Sequence, residues 1–244
     1  RVMAEISEQL GKDGNVYRQE YEKLTAAIEK FFWDEEKGAY IDSFTSGKRN
    51  VTRHANIFAI LFDIADKQKQ EKILKNVLEN DEIPAITTPY FNFFELDVLC
   101  QMGKLTEVLD KIRSYWGGML DLGAVTFWEE YDPSVPKEEQ YDMYGDHFGK
   151  SLCHAWAASP IYFLAKYFAG LDLVNKDGVT YVLKPQMQYF TDLDCTLPVG
   201  SDGTVRLAWD GEGLEVTADA EGGVLELGEE KFSLVRGETR RVKI

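Results

Sequence analysis

Cysteine, histidine and basic residues are all scarce in this 244-residue chain. There are three cysteines and three histidines, and 27 Lys and Arg stand against 42 Asp and Glu. Cys100, Cys153 and Cys195 lie far apart, and no Cys-x-x-Cys or Cys/His spacing of a structural zinc site is present. Cys100 and Cys153 sit in apolar helical contexts and read as small buried hydrophobes. The net charge of −15 argues against nucleic acid or an anionic membrane surface as partner, since both require basic patches. No apolar run reaches the ~18–20 residues that span a bilayer. No signal peptide is visible. The opening "RVMAEISEQL" reads as an amphipathic helix entered midway, with Val2, Met3, Ile6 and Leu10 apolar. We therefore expect the chain to begin inside a larger protein. Internal repeats and low-complexity segments are also absent.

What the chain does have is apolar and aromatic mass. At 44% hydrophobic and 13% aromatic, it can bury a core, which excludes an intrinsically disordered chain. Through about residue 170 the pattern is helical. Tyr21, Leu24, Ile28 and Phe31 mark a helix over 16–33, and Ile57, Ile60, Leu61 and Ile64 one over 53–65. Further helices are expected over 68–80, 88–102, 104–116 and within 148–169. Two of these segments, "HANIFAILFDIA" and "HAWAASPIYFLAKYF", are apolar almost all round, whereas "KQKQEKILKNVLEN" keeps a polar face. A helix apolar on every side is buried on every side. The mixture predicts two concentric layers, the inner and outer rings of an α/α toroid, and six helices are about half of such a barrel.

After "FAGLDLVNKDG" the pattern becomes short alternating runs: "VTYVLKP", "TVRLAWD", "LEVTADA", "VLELG", "KFSLV" and "RRVKI". "DGEG" and "EGG" are hairpin candidates. The expected architecture is mainly α with a β-domain. Residues 1–175 would form half of an (α/α)6 toroid, and 176–244 an antiparallel β-sandwich.

Loops in the helical part mix aromatics with carboxylates and histidine, as in "TTPYFNFFELD", "GAVTFWEEYDP" and "YGDHFGKSLCHAW". This is the composition of a sugar site, where rings stack on pyranose faces and polar groups bond hydroxyls. Glycoside hydrolysis needs two carboxyl groups, one protonated and one ionised. If residues 125–132 are extended, Val125, Phe127, Glu129 and Tyr131 share one face, and Trp128, Glu130 and Asp132 the other. Glu129 would then sit in the more apolar company, where desolvation would raise its pKa and basicity. A cap or an arginine partner would explain Glu129 as well.

"GAVTFWEEYDP", followed by "GKSLCHAWAASPIYFLAKYFAGL", resembles the C-terminal half of the bacterial α-L-rhamnosidase family, glycoside hydrolase family 78. "YFNFFELDVLCQMG" and "RSYWGGMLDLGA" resemble the helical segments that precede that motif. The likeness covers roughly residues 15–175. It implies an (α/α)6 barrel and an inverting hydrolase of α-L-rhamnosides. It also implies Glu129 as general base and His154 as a sugar-binding residue. The family's acid motif, Asp-rich with Arg-Glu-Arg, has no counterpart here. The resemblance thus implies that the general acid and the first half of the barrel lie outside this chain. No cofactor or metal is implied.

Trp128, Trp156 and Tyr90 are candidate sugar contacts beside His154, although Trp128 and Trp156 could equally be core. Phe91 and His54 fit packing or capping, and Tyr144 and His147 fit a loop surface. Asp132 before Pro133 fits turn chemistry, and Glu130 fits a surface or supporting role. Two other functions fit the same residues. One is a toroid glycosidase or phosphorylase for another sugar. The other is a non-catalytic carbohydrate-binding or structural fragment.

Overall fold

The structure, a computed structural model, describes residues 1–176, 178–201 and 203–243. The backbone divides into two compact units, Arg1–Met102 and Gly103–Ile244.

The first unit is helical. It contains α1 (Val2–Gln9) and α2 (Asn15–Phe32), then a small antiparallel hairpin of β1 (Trp33–Asp34) and β2 (Ala39–Tyr40). α3 (Arg53–Leu61), α4 (Lys67–Ile73) and α5 (Pro89–Gln101) follow. The starts have local causes. Asp66 caps α4 by accepting from the Lys69 amide at 2.9 Å. Pro89, whose missing N–H costs nothing in a first turn, opens α5. The helices differ in burial, and the apolar face expected on α2 is not buried, with Leu24 and Phe31 exposed. α5 buries seven residues and α3 five, whereas α2 buries none.

Two buried polar groups fix α3 in this unit. Asn56 is fully buried. It accepts from the Tyr40 amide at 2.8 Å and donates to the Tyr40 and Thr52 carbonyls, each at 2.9 Å. This ties the hairpin to α3. Arg53 and Glu95, both more than nine-tenths buried, pair at 3.1 Å between α3 and α5. Arg53 also donates to the Leu78 carbonyl at 2.9 Å and the Asn80 carbonyl at 3.3 Å.

The second unit begins with α6 (Leu105–Lys111), which runs through a widened turn at Ile112–Trp116 into α7 (Gly117–Asp121). An irregular segment follows, broken by single 3₁₀ turns, before α8 (Ser159–Phe163) and its continuation Leu164–Phe168. The helix expected within 148–169 therefore starts late. Residues 148–154 are irregular, and Ser159 and Pro160 open the regular helix. Nor is that stretch buried all round, since Ile161 and Trp156 are exposed. Among the described residues, no helix is long and apolar enough to cross a membrane.

Eight strands complete the unit: β3 (Leu171–Lys176), β4 (Val179–Leu183), β5 (Leu193–Val199), β6 (Gly203–Trp209), β7 (Gly213–Ala218), β8 (Gly223–Leu227), β9 (Glu230–Leu234) and β10 (Thr239–Lys243). They form two four-stranded sheets, ordered β10-β7-β6-β5 and β3-β4-β8-β9. Both contribute to one hydrophobic core, with Tyr181, Leu183, Leu225 and Leu234 from one sheet and Val205, Leu207, Leu214 and Val216 from the other. Pairing is antiparallel except between β4 and β8, which run parallel.

The strand pattern identifies six of the eight strands and misses β3 and β5. Both lie at sheet edges. There Pro198, which cannot donate to a ladder, is tolerated in β5, and β3 occupies residues that read as a linker. "DGEG" does join a hairpin, β6–β7, but "EGG" does not, because β7 and β8 belong to different sheets. The cysteine reading holds at Cys100, which is buried, and fails at Cys153, which is exposed on the irregular segment.

Gly170 closes the last helix with φ 74°, and a Cβ there would run into the Lys184 backbone. Gly170→Ala is therefore expected to destabilise the protein by at least ~1–2 kcal/mol, the left-handed penalty before any clash is added. Equilibrium denaturation would measure this. Glu95→Ala strands the buried Arg53 charge and should cost about 3 kcal/mol. A midpoint unchanged from wild type would show that Arg53 needs no acidic partner.

Candidate functional site

The irregular segment of the second unit doubles back on itself. The Glu129 amide donates to the Ser151 carbonyl at 2.9 Å, and the His154 amide to the Phe127 carbonyl at 2.8 Å. The Thr126 hydroxyl bonds the Leu152 carbonyl. These contacts zip residues 126–129 against 151–154 without regular strand geometry. Two motifs more than twenty residues apart thereby become one site.

The regular alternation expected over 125–132 does not survive this geometry. Val125 is 94% exposed, while the adjacent Trp128 and Glu129 are both buried, at 3% and 8%. Bends at residues 125, 126 and 129 break the strand period. Trp128 is packed with its ring centroid 5.6 Å from that of Tyr141. So little of its indole is open that packing, rather than sugar stacking, describes its contact here.

The Glu129 carboxylate is held at both oxygens. Oε2 accepts from the Ser151 amide at 3.0 Å and lies 3.8 Å from His154 Nδ1. Oε1 accepts from the Tyr144 hydroxyl at 2.9 Å. The Ser151 amide bond, more than any other contact, holds the Glu129 pKa below the usual carboxylate range. Burial pushes the other way, while Tyr144, His154 and Lys150 add to the lowering. This reverses the expectation of a raised pKa: burial does desolvate Glu129, but hydrogen bonds to the charged form outweigh it. The consequence is a buried carboxylate that stays ionised.

Lys150 is itself buried. Burial lowers its pKa, and the nearby Glu130, Asp132, Asp142 and Glu129 oppose that lowering. His154 continues outward to Trp156, with ring centroids 4.3 Å apart, and the Trp156 ring is about half exposed. Of the expected sugar contacts, then, His154 stands beside Glu129 and Trp156 stands against His154. Tyr90 belongs to the first unit, exposed in the first turn of α5 with its ring near Phe91 and Phe94. His54 packs edge-on against Phe91 there. Asp132 serves its turn, accepting from the Ser134 amide at 2.9 Å and hydroxyl at 2.7 Å. His147 pairs with Asp142 at 2.5 Å on the surface.

Sequence reasoning missed Tyr144 and Ser151. Ser151 stood inside the Ser-Leu-Cys-His motif, but its contribution is a backbone amide, which no side-chain pattern reports. The turn signal near Tyr144 was Gly145 alone, since a tyrosine at the preceding turn position runs against the usual preference. Among the described residues, no group of three or more His, Cys, Asp or Glu could hold a metal ion.

The bacterial alpha-L-rhamnosidase 6 hairpin glycosidase domain matches residues 1–168. The chain is 32% identical to a Klebsiella oxytoca rhamnosidase whose structure contains bound rhamnose, over 63% of this chain and 29% of that one, with a TM-score of 0.56. Its fold is shared with the family 78 rhamnosidase of Bacillus sp. GL1 (24% identity, TM-score 0.71, 88% of this chain and 23% of that one). It is also shared with the α-L-rhamnosidase of Dictyoglumus thermophilum (20% identity, TM-score 0.66, 93% and 26%). The chain thus spans less than a third of the length of these solved relatives. Comparison with curated proteins gives no match. With more than half of its residues covered by the domain match, the chain belongs to the bacterial α-L-rhamnosidase six-hairpin glycosidase family.

Proposed function

We propose that Glu129 is the general base of an inverting glycosidase that hydrolyses terminal α-L-rhamnosides. The observation that carries this reading is a buried carboxylate, kept ionised by an amide and a phenol, with an imidazole 3.8 Å away. Family membership and the rhamnose bound to the Klebsiella oxytoca relative support the sugar class. In the mechanism, Glu129 takes a proton from a water on the face of the sugar opposite the leaving oxygen. His154 bonds a sugar hydroxyl, and the half-exposed Trp156 offers a ring face beside it. Trp128, buried against Tyr141, holds the backbone next to Glu129 in place.

An inverting site separates its two carboxyl groups by ~6.5–9.5 Å to admit the water. We assign the acid to residues outside these 244, together with the remainder of the barrel. Residues 1–175 are then the C-terminal part of an (α/α)6 toroid and 176–244 a β-sandwich domain, with β3 already starting at Leu171. The contrast between α3 and α5, rich in buried residues, and α2, which has none, supports inner and outer layers. So do Val2, Met3, Ile6 and Leu24, whose exposed apolar side chains fit a face that further chain covers.

Glu129→Gln keeps the shape and removes the base. In the full-length protein that carries this chain, kcat on an aryl α-L-rhamnoside should fall by ~10²–10⁴-fold while rhamnose binding survives. Glu130→Gln should lose far less. The reverse ranking would move the base by one residue, and near-full rates in both would place it elsewhere. Because hydrogen bonds lower the Glu129 pKa, the acid limb of kcat/KM should lie below the ordinary glutamate value of about 4.3. A limb above that value would mean that a different group, or a desolvated one, carries the proton.

A further inference from the structure

Tyr144 is an anomaly of local structure. Met143 and Asp146 exchange both backbone hydrogen bonds, at 3.0 and 2.9 Å, across a two-residue turn. The turn residues, Tyr144 and Gly145, have φ of 55° and 82°. Two consecutive positive φ values make a type I′ turn, whose first position favours Asn, Asp or Gly. A bulky aromatic there is an outlier and costs backbone energy that its own packing does not return, since Tyr144 is 81% exposed. Its ring is open, and its described polar contact is the hydroxyl bond to Glu129 Oε1. Strain of this kind collects at functional positions.

The turn is also firmly mounted. The Lys150 amide donates to the Tyr141 carbonyl at 3.1 Å, and the Gly149 amide to the Asp146 carbonyl at 3.2 Å. Phe148 N–H donates to the Asp146 carboxylate at 3.1 Å. The tip therefore delivers the phenol to a fixed point. Each Glu129 oxygen accepts one described hydrogen bond and keeps a second lone pair; Oε2 also has His154 Nδ1 at 3.8 Å, so Oε1 is the oxygen with the less crowded lone pair for water. The hydroxyl on Oε1 fixes which lone pair that is.

We propose that Tyr144 is a positioning residue for the general base, its hydroxyl orienting Glu129 Oε1 toward the attacking water. The proposal rests on Glu129 being the base. The charged and titratable groups around that carboxylate are His154, Lys150, Tyr144 and, beside the phenol, Glu130. The Tyr144 bond stabilises the ionised form of Glu129, so removing it should move the Glu129 titration to higher pH.

The test compares Tyr144→Phe, Tyr144→Asn and Glu129→Gln in the full-length protein that carries this chain. Tyr144→Phe should lower kcat about tenfold, the scale of one hydrogen bond to a charged group. KM should change less than about threefold, and the acid limb of the pH profile should rise. The Glu129 carboxyl, followed by ¹³C NMR, should titrate at higher pH than in wild type. Tyr144→Asn, a residue the turn prefers, should match that kcat loss with a melting midpoint no lower than wild type. An unmoved Glu129 titration, or a rise in KM with kcat intact, would overturn the proposal. If Glu129→Gln is inactive while that titration is unmoved, the base assignment stands and only the Tyr144 role falls. If Glu129→Gln retains full rate, both fall.

Discussion

The Glu129–Ser151 contact is made twice, once by each residue's amide. The Glu129 N–H bonds the Ser151 carbonyl, and the Ser151 N–H returns a bond to the Glu129 carboxylate. The first bond sets where the backbone lies, and the second sets where the side chain points. Much of the site follows from this reciprocity. Together with the bond from the His154 amide to the Phe127 carbonyl, it brings the imidazole to the carboxylate. It also charges the site. A carboxylate bonded by an amide in a partly dry setting gains more from ionisation than burial removes, so Glu129 is held as an anion without a direct arginine or lysine partner among the described residues.

The electrostatics around that anion are acidic, in keeping with the net charge of the whole chain. Glu130, Asp132 and Asp142 stand near Lys150, the buried cation of this neighbourhood. Neutral donors, the Ser151 amide and the Tyr144 phenol, take the direct contacts with Glu129. A direct ammonium contact would bind the carboxylate more strongly and weaken it as a base. Amide and phenol donors orient it at a smaller loss of proton affinity.

Burial in the first unit is arranged differently. Asn56 meets all its bonds with backbone partners, whereas one oxygen of Glu95 and the Nε of Arg53 have no partner among the described residues. A fully satisfied amide fixes the hairpin on α3 at little cost. A half-satisfied buried ion pair is costly to bury and costlier to break.

Helix positions were legible from residues alone because apolar spacing is a local property. The segments at 16–33 and 88–102 match α2 and α5 closely, and that at 53–65 matches the start of α3, which ends at Leu61. The Trp-Glu and Ser-Leu-Cys-His motifs pointed to Glu129 and His154 through their resemblance to the family, since side-chain type alone fits a capped or paired glutamate and a core histidine as well. The sequence could not decide how those candidates behave. Whether Trp128 is platform or core, whether Glu129 is raised or lowered in pKa, and that Tyr144 reaches it, all depend on residues 126–129 folding onto 141–154. The edge strands β3 and β5 and the parallel β4–β8 pair were hidden for the same reason. Pairing partners, burial and donated amides are non-local, and the backbone groups that set the charge of Glu129 are identical in every residue until the fold aims them.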